Sequence, residues 1–339
     1  MTDAPVLYVD LDDTLVRTDT FYECLLAAAR HRPWQLLMLF IWIRRGKAYV
    51  KHHLARAARP FLTTFPYCPL VLDYIEKHRR QGGEVVLATA ANQQIANAVA
   101  DDLGCFTAVL ASDERTNLSG KNKLAAIAAH AAGRPFEYIG DHANDLPIWK
   151  AAERAIAVRC SPRVWQSVHA CPNAICLEER RPRSIGTWLR LLHLPHLAAN
   201  LLVLVPVLFA HPWTSPAKLT AALISLVCFC LSTSAVDLAD ALFDLEVHRA
   251  DSAKRKQPIA AGEVSIRTAL VVATALTAAA LLISAAMLTL TFTAVLLGFL
   301  VLSMLHSLYM KRVPLIATFM LISLYAYRVF AGAVATGVL

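Results

Sequence analysis

Two carboxylates separated by a single residue are the first candidates for chemistry. Asp10 and Asp12 directly follow the apolar run Val6–Val9, and Thr14 completes an Asp-x-Asp-x-Thr pattern. One carboxylate of such a pair can attack phosphorus while the other protonates the leaving oxygen. Because a phosphoryl group is itself negative, a carboxylate nucleophile needs a cation to offset the repulsion, and Mg²⁺ prefers oxygen ligands. The pattern therefore predicts Mg²⁺-dependent phosphoryl chemistry.

Further polar residues suited to this chemistry follow two later apolar runs. Thr89 ends one of them, and Asp141 and Asp145 follow the other at a spacing of four residues. Between them lies Lys123, a cation able to hold phosphate, with Lys121 as a competitor for the same role. The structural alternative is that these acids are turn and cap residues, which Asp commonly is.

Three short apolar runs are the elements that must position these side chains. The runs are Val6–Val9, Val85–Ala88 and Glu137–Ile139, each ending in polar residues and separated from the next by helical stretches. This pattern predicts a parallel sheet with helices on both faces. In such sheets the site lies beyond the carboxyl ends of the strands, which is where the polar residues occur.

A helical insertion, roughly residues 18–80, separates the first two predicted strands. It contains a mostly apolar run, Trp34–Ile43, that is flanked by basic residues and is too short to span a bilayer. We favour a buried helix of a cap domain for this run. The alternative is a helix that lies on the membrane surface and is held there by its basic flanks.

Composition divides the chain into two parts. Hydrophobic residues make up 57% and charged residues 17%, too apolar for an ordinary soluble protein, and most of the excess lies beyond Trp188. We predict a soluble domain over residues 1–178, a charged, proline-containing linker over 179–187, and a membrane domain over 188–339. The net charge is +8 with many basic residues beside apolar runs, which favours anionic lipids and phosphorylated substrates as partners and no nucleic acid.

The C-terminal part contains five apolar segments that predict membrane helices. They are Leu197–Ala210, Pro216–Val236, Thr268–Leu288, Thr291–Leu308 and Val313–Val338. Lys and Arg cluster before the first segment, between the second and third, and between the fourth and fifth. The positive-inside rule then places the N-terminal domain and the 249–256 loop in the cytoplasm, which predicts a multi-pass protein of the inner membrane. The eight cysteines form no CxxC pair, and we expect reduced thiols and no signal peptide.

The elements around Asp10, Thr89, Lys123 and Asp141, in this order and at these separations, resemble the haloacid dehalogenase superfamily, in particular its phosphoserine-phosphatase-like members. The resemblance covers about residues 1–175. It implies an α/β Rossmann-like domain with a helical cap and the activity of a phosphoric-monoester hydrolase. It also implies that Asp10 is the nucleophile and Asp12 the general acid/base.

The same resemblance implies the remaining roles at this site. Lys123 and Thr89 would bind the phosphoryl group, and Lys123 is preferred to Lys121 because it follows Asn117-Leu118-Ser119-Gly120 at the spacing of the family. Mg²⁺ would be bound by Asp10, the backbone carbonyl of Asp12, and Asp141. Asp145 would support the metal site.

A second group of acids lies at the end of an apolar run in the membrane part. Asp240, Asp244 and His248 are spaced i, i+4, i+8 and are predicted to line one helix face. Acids in this position are costly unless they face water, a metal or another charge. With Lys254, Arg255 and Lys256 just beyond, they could hold a Mg²⁺-diphosphate at the cytoplasmic surface. The alternative is an ordinary helix exit, where charged residues mark the end of a membrane segment.

This part of the sequence resembles the UbiA-type prenyltransferase superfamily, most closely the branch that moves phosphoribose onto polyprenyl phosphate. The resemblance implies an all-α, multi-pass transmembrane bundle whose Asp-rich motifs bind Mg²⁺-diphosphate. The residues that carry it include Asn200-Leu201-Leu202-Val203 with Val205-Pro206, Asp240–Gly262, Tyr309-Met310-Lys311-Arg312, and Tyr327-Arg328 with Gly332. The residues implied at the membrane substrate site are Asn200, His248, Lys254, Arg255, Lys256 and Arg328.

Three features depart from that family. The first Asp motif has Ala241 and His248 where the family has carboxylates, and imidazole is a poor Mg²⁺ ligand. Gln257 and Ala199 replace an expected Arg and an expected Lys. Five segments are present where the family has about nine, so we expect either a piece of a longer protein or a membrane half that is no ordinary transferase.

Three hypotheses for function follow. The first is a bifunctional enzyme that transfers a phosphoribosyl or prenyl group from a diphosphate donor (phosphoribosyl diphosphate or prenyl diphosphate) to a polyprenyl or other lipid acceptor, with dephosphorylation by the N-terminal domain. The second is a membrane-anchored phosphatase whose transferase half is inactive. The third is a non-enzymatic lipid-carrier binding protein. We favour the first, and the pairing of domains favours phosphoribose as the transferred group.

Overall fold

The chain folds into two compact units, which we describe separately. The computed structural model describes residues 5–58, 64–179, 185–191, 196–209 and 215–338. Most of the predicted linker, residues 180–184, lies outside the described residues. The first unit comprises Met1–Arg183 with Arg249–Arg255 and Ala260–Ser265, and the second comprises Ser184–His248, Lys256–Ile259 and Ile266–Leu339.

A six-stranded sheet forms the centre of the first unit, and all its strand pairs are parallel. This confirms the predicted parallel sheet and adds three strands to it. The strand order is β3-β2-β1-β4-β5-β6. The strands are β1 (Val6–Val9), β2 (Val85–Asn92), β3 (Ala108–Ser112), β4 (Phe136–Gly140), β5 (Arg154–Val158) and β6 (Ile175–Glu178).

Helices connect the strands and cover both faces of the sheet. Side chains alternate along β1, so that Tyr8 joins a core cluster with Trp149 on one face while Leu7 and Val9 join a cluster with Val71 on the other. The helices of this unit are α1 (Thr20–His31), α2 (Leu39–Ile43), α3 (Lys47–Ala58), α4 (Pro69–Arg80), α5 (Gln93–Leu103), α6 (Lys121–Ala131), α7 (Leu146–Ala151) and α8 (Pro162–His169).

The strand order reverses at β1, and this sets the position of the site. From β1 the chain builds outward to β2 and β3 on one side and to β4, β5 and β6 on the other. Ligands of open parallel sheets bind beyond the strand ends at such a reversal. Asp10 directly follows β1 and Asp141 directly follows β4, which is paired with β1.

The cap consists of α1, α2 and α3 with a 3₁₀ helix, Pro33–Met38, between α1 and α2. It is shorter than the predicted 18–80, because Val71 and Ile75 of α4 pack against the sheet. The preferred burial of the run Trp34–Ile43 is also wrong. None of its residues is buried, and Phe40 is 77% exposed. A run of ten residues has too many apolar side chains for the single face that the small cap can cover.

A segment far along the chain also packs into the first unit. Arg249 belongs to this unit, and its guanidinium donates to the Glu23 carboxylate of α1 at 2.6 Å. Both side chains are almost completely buried, and the Thr18 hydroxyl donates to the same Glu23 oxygen at 2.6 Å. Residues 249–255 therefore do not follow the predicted assignment of everything after residue 188 to the membrane domain.

The second unit is all helical. Its helices are α9 (Ile185–Leu191), α10 (His196–Asn200), α11 (Val205–Phe209), α12 (Pro216–Phe243), α13 (Leu245–Ala250), α14 (Ile266–Met287), α15 (Leu290–Leu308) and α16 (Pro314–Thr336), with α13 ending in the first unit. Within the described ranges, four helices are long and apolar enough to cross a membrane: α12, α14, α15 and α16.

Four of the five predicted membrane segments correspond to helices of spanning length, whereas the first is shorter over its described residues. Residues 196–209 form α10, a 3₁₀ turn over Leu201–Leu204, and α11, and this run is shorter than a membrane-spanning helix. Pro206 lacks an N–H and restricts the residue before it, which disfavours one long helix through this point. The segment packs within the unit instead, where Val203 is fully buried.

Aromatic side chains and a close helix approach hold the second unit together. Phe229 of α12 lies 4.8 Å from Phe299 of α15, measured between ring centroids. At Gly332 of α16, a Cβ would lie 1.9 Å from the carbonyl oxygen of Val203. A glycine is therefore needed at this position, as expected where helices in a membrane pack through small residues.

The buried ion pair of the first unit leads to a stability prediction. We expect Glu23→Ala to destabilise the first unit by about 3–5 kcal/mol, because it leaves the Arg249 guanidinium buried without its carboxylate. The double variant Glu23→Ala/Arg249→Met should lose less than Glu23→Ala and Arg249→Met added together. The check is a double-mutant cycle on thermal unfolding of the full chain in detergent. Simple additivity would contradict the pairing.

Candidate functional site

The centre of the candidate site is a buried lysine held by two carboxylates. The Lys123 ammonium lies 3.0 Å from an Asp10 oxygen and 3.2 Å from an Asp145 oxygen. It also donates to the Tyr138 hydroxyl at 2.9 Å. Lys123 and Asp145 are each 2% exposed. A charge this deeply buried requires such partners, so the three side chains form one ionic cluster.

Local backbone structure brings these side chains together. Asp10 directly follows β1 and accepts the Leu11 N–H at 2.8 Å, which orients its carboxylate. Gly140 ends β4, and a Cβ there would lie 2.8 Å from an Asp145 oxygen and 2.7 Å from a Tyr138 ring carbon. The missing side chain of Gly140 therefore lets Tyr138 and Asp145 approach closely enough to meet Lys123.

Asp141 completes a group of acids that fits a metal ion. Oxygen atoms of Asp10, Asp141 and Asp145 all lie within 4.8 Å of one another. Asp141 is half-buried, and the Thr14 hydroxyl is 3.4 Å from one of its oxygens. Three carboxylates against the single Lys123 charge leave an excess of negative charge, and oxygen donors are those that Mg²⁺ prefers. The donor set therefore fits the predicted Mg²⁺.

Electrostatics within the cluster shift the pKa values of its members. Burial raises the pKa of Asp10, and the neighbouring Asp145 charge raises it further against the opposing effect of Lys123. Burial and the Asp10 carboxylate raise the pKa of Asp141 well above its usual range. Burial lowers the pKa of Lys123, but the charges of Asp10 and Asp145 outweigh it and raise that pKa. Lys123 therefore stays protonated. Ionised carboxylates buried this close together repel one another, and a second cation would offset that repulsion.

Asp12 lies in the turn after β1 with its carboxylate fixed at the start of α1. The backbone N–H of Thr20 donates to it at 2.8 Å. Burial raises the pKa of Asp12 to about 6. Asp13 next to it has φ +53°, a left-handed conformation that Asp tolerates. A carboxyl group with a pKa near 6 can give up and regain a proton at neutral pH, as a general acid/base must.

The remaining predicted phosphatase residues lie around this cluster. Thr89 is fully buried within β2, which extends three residues past the predicted end, and its hydroxyl accepts the Ala91 N–H at 3.0 Å. Lys123 lies in the cluster, whereas Lys121 is exposed. A small cavity lies beside the site, lined by residues of α1, α3, β2 and α5. Its lining residues are Thr20, Phe21, Cys24, Lys51, Leu54, Ala55, Ala91, Asn92 and Ile95.

In the second unit, a lysine lies between the two predicted acids. The Lys311 ammonium pairs with both Asp240 and Asp244, and the Ser307 hydroxyl donates to Asp240. The expected single helix through His248 is interrupted, because α12 ends at Phe243 and Asp244 lies in a turn before α13. The reason is local: Asp244 has φ −95° and ψ +14°, outside regular helix geometry.

Two predicted membrane substrate residues meet in the helical bundle. The Arg328 guanidinium of α16 donates to the Asn200 side-chain oxygen at 3.1 Å, and Thr233 donates to the same oxygen at 3.0 Å. Arg328 is 7% exposed and lies 5.0 Å from the Phe299 ring centroid. Charged groups within a membrane bundle are costly and usually functional, so this cluster is a second candidate site.

The other predicted membrane residues are His248 and the three basic residues after it. His248 begins the last turn of α13, where its backbone N–H donates to the Asp244 carbonyl at 2.8 Å. Lys254, Arg255 and Lys256 form an exposed 3₁₀ turn. The first two of these belong to the first unit and Lys256 to the second.

Sequence reasoning missed three partners of the site residues. Tyr138 is a fully buried phenol in an apolar strand, and this itself indicates a hydroxyl that needs a partner. Lys311 belongs to a motif that carried the resemblance but was not assigned a role. The contact between Glu23 and Arg249 joins residues 226 positions apart, and nothing in the sequence indicates such a pairing.

Comparison with known protein families matches two parts of the chain to two different family models. Residues 7–150 match the family model for haloacid dehalogenase-like hydrolases. Residues 200–338 match the family model for the UbiA prenyltransferase family.

One similar sequence is the uncharacterized protein y4nM of Sinorhizobium fredii (strain NBRC 101917 / NGR234). It is 29% identical over 332 residues, which cover 98% of this chain and 64% of that protein. The chain thus spans less than two thirds of the length of the curated relative that it matches.

Two solved structures are similar to part of the chain. A protein of unknown function from Bordetella pertussis Tohama I is 20% identical, with a TM-score of 0.41, and the match covers 51% of this chain and 98% of that chain. A probable phosphoserine phosphatase from Vibrio cholerae is 15% identical, with a TM-score of 0.36, and the match covers 51% of this chain and 62% of that one.

The family matches agree with the parallel sheet and its acidic cluster on one side and with the apolar helices on the other. Residues 7–150 therefore form a haloacid dehalogenase-like hydrolase domain, fused to a membrane domain of the UbiA prenyltransferase family over residues 200–338.

Proposed function

We propose that the first unit is a Mg²⁺-dependent phosphomonoester hydrolase with Asp10 as its nucleophile. The observation that carries this proposal is the buried cluster in which Lys123 contacts both Asp10 and Asp145. It puts a fixed positive charge beside a carboxylate at the end of a central strand. Such a charge stabilises the anionic phosphoryl group as it is transferred.

In the proposed reaction, an Asp10 oxygen attacks phosphorus and the bond from phosphorus to the ester oxygen breaks. Asp12 donates its proton to the departing oxygen, so that an alcohol leaves and an acyl phosphate remains on Asp10. Asp12, now a carboxylate, takes a proton from the water that hydrolyses this acyl phosphate. Its raised pKa of about 6 suits both steps near neutral pH.

The other residues of the cluster hold charge in place. Mg²⁺ would be held by Asp10, Asp141 and the Asp12 backbone carbonyl, where its charge offsets repulsion between a carboxylate and the phosphoryl oxygens. Lys123 would bind a phosphoryl oxygen, with Asp145 and Tyr138 keeping its ammonium in position. Thr89 would donate its hydroxyl proton to another phosphoryl oxygen.

The cavity beside Asp12 gives a direction for the leaving group. Thr20 both lines this cavity and donates its backbone N–H to Asp12. The lining is mostly apolar with one cation, Lys51, whose ammonium donates to the Ala90 carbonyl at 2.7 Å. We infer that the alcohol part of the substrate leaves toward the cap through this space.

For the whole protein we propose a bifunctional enzyme of the cytoplasmic membrane. Its UbiA-family half would transfer a phosphoribosyl or prenyl group from a diphosphate donor to a polyprenyl or other lipid acceptor, and its phosphatase half would then remove a phosphate from the product. Phosphoribosyl transfer leaves a 5-phosphate, which a tethered phosphatase could cleave. Tethering supports this order, because a short linker raises the local concentration of the second site to about the millimolar range.

A second candidate is a membrane-anchored phosphatase whose UbiA-family half does not transfer. The contact of Lys311 with both Asp240 and Asp244 favours it, because the lysine neutralises half the charge that a bound metal would need. His248 in place of a carboxylate points the same way, since imidazole is a poor Mg²⁺ ligand.

Removal of the nucleophile tests the phosphatase proposal. We expect Asp10→Asn to lower hydrolysis of a soluble aryl phosphate by the full chain at least about a thousandfold, because the amide cannot form the acyl phosphate. Asp13→Asn is the matched control, because Asn also tolerates the left-handed conformation at this position. Equal activity of both variants would reject Asp10 as the nucleophile.

Removal of Mg²⁺ tests whether the excess negative charge of the acidic cluster binds a metal ion. The raised pKa values of Asp10 and Asp141 mean that the folded, metal-free protein holds protons that the unfolded chain releases above about pH 4. Stability of the metal-free protein should therefore fall as the pH rises through the folded pKa values. Mg²⁺ should raise the unfolding temperature more at pH 7.5 than at pH 5, and Asp141→Asn should reduce this difference. A Mg²⁺ effect independent of pH and of Asp141 would contradict the assigned site.

Transfer from labelled phosphoribosyl diphosphate to a polyprenyl phosphate distinguishes the two whole-protein proposals. If the enzyme is bifunctional, we expect Asp244→Ala to abolish transfer while Asp10→Asn makes a phosphorylated product accumulate. Asp251→Ala controls for loss of a nearby acid outside the pair. Native protein that hydrolyses phosphate esters but transfers neither phosphoribosyl nor prenyl groups would favour the anchored phosphatase.

A further inference from the structure

The cap presents an apolar surface that is left exposed by the other described residues of the first unit. We call it the apolar cap face: the exposed side of the 3₁₀ helix Pro33–Met38 and of α2. Its six large side chains are 47–77% exposed. They are Trp34, Leu37, Met38, Phe40, Ile41 and Ile43. A contiguous exposed patch of this kind marks an interaction surface.

The opposite side of the same segment is anchored in the cap. Leu36, Leu39 and Trp42 pack against the core formed by α1 and α3. The Trp42 ring stacks on His53 with a centroid distance of 5.2 Å and an interplanar angle of 25°. The exposed residues are therefore presented on a fixed scaffold, with one side of the segment held and the other turned outward.

The cap sequence around the face is basic, with Glu114 from another segment 3.8 Å from His53. From Cys24 to Leu72 the sequence has eight Lys and Arg residues and no Asp or Glu. Arg44 and Arg45 directly follow α2 and are exposed, and Lys47 follows them. The Arg45 guanidinium donates to the Tyr49 hydroxyl at 2.9 Å, which holds it beside the face. An apolar stripe with a basic border is the pattern of a helix that lies in the surface of an anionic bilayer.

We propose that the apolar cap face inserts into the interfacial layer of an anionic membrane, with Trp34 and Phe40 among the acyl chains and Arg44 and Arg45 on lipid phosphates. The segment is too short to span the bilayer, so it lies in the plane of the surface. The amphipathic ring of Trp34 suits this layer. The proposal does not depend on which phosphate ester the site hydrolyses.

The charge pattern also argues against other occupants. A second copy of the chain would bring a second basic border against the first, and like charges across an interface oppose association. The chain itself has four candidate membrane spans among its described residues, so a bilayer is always available to the cap. A lipid surface is the partner that fits both the apolar side chains and their border.

The test uses the full chain in nanodiscs with brominated acyl chains, which quench tryptophans in contact with them. We compare native protein with Trp34→Phe, so that the difference reports Trp34 alone, in discs with and without anionic lipid. We expect bromine to quench the Trp34 contribution at least about twofold in anionic discs, with weaker quenching in zwitterionic discs. Trp165→Phe removes a tryptophan outside the face and should leave the absolute amplitude of the quenched emission unchanged.

A second variant keeps the proposal falsifiable if the tryptophan signal is small. Phe40→Asp puts a charge in the middle of the face and should expel it, so that Trp34 becomes accessible to aqueous iodide in anionic discs. Hydrolysis of a soluble phosphate ester and the unfolding temperature should stay at native values. Trp34 quenched by iodide but not by bromolipid in the native protein would overturn the proposal. So would cross-linking of two copies of a Phe40→Cys variant through this position.

Discussion

The ammonium of Lys123, buried between Asp10 and Asp145, is the interaction on which the phosphatase half depends. A lysine in an apolar interior would lose its proton without such partners, and burial raises the pKa of Asp10 against the opposing effect of Lys123. The three groups come from β1, α6 and the turn after β4, so that the cluster fixes how these elements meet. Because Asp141 adds a further carboxylate, the cluster keeps an excess of negative charge, and this makes it a site for a cation as well as a structural tie.

Lysine between two carboxylates recurs in the second unit with a different result. Lys311 lies between Asp240 and Asp244, but the side chain of Lys311 is 27% exposed and that of Asp240 is 38% exposed, whereas the Lys123 side chain is 3% exposed. Solvent screens the exposed trio, so its pairing stabilises little and is easily exchanged for another ligand. The trio has one negative charge in excess, against two for the phosphatase cluster with Asp141. The second unit can therefore attract a cation only weakly unless a substrate brings further anionic groups.

The sequence predicts those parts of the protein that depend on local pattern. The run Val6–Val9 is β1 itself, and the residues after the strands lie where parallel-sheet topology puts them. Three kinds of feature depend on what packs nearby, which a single sequence does not contain. Burial of Trp34–Ile43 depended on how much surface the cap could cover. The turn at Asp244 accompanies the contact of this residue with Lys311 of a later segment, which the spacing of the acids does not indicate. The contact of Arg249 with Glu23 joins residues that no periodicity relates.

Covalent attachment explains why so short a segment can act at a membrane. A free ten-residue amphipathic helix binds lipid weakly, because it must give up its freedom of translation for a small buried area. The cap is joined to helices of membrane-spanning length, which keep it near a bilayer at high effective concentration. The remaining entropic cost of binding would be that of ordering Trp34–Ile43. This cost is small, because Leu36, Leu39 and Trp42 already fix the segment against the cap. The apolar area and basic charge of the cap face would be too small to recruit a soluble protein to a membrane. They are enough to orient a cap that is already tethered to one.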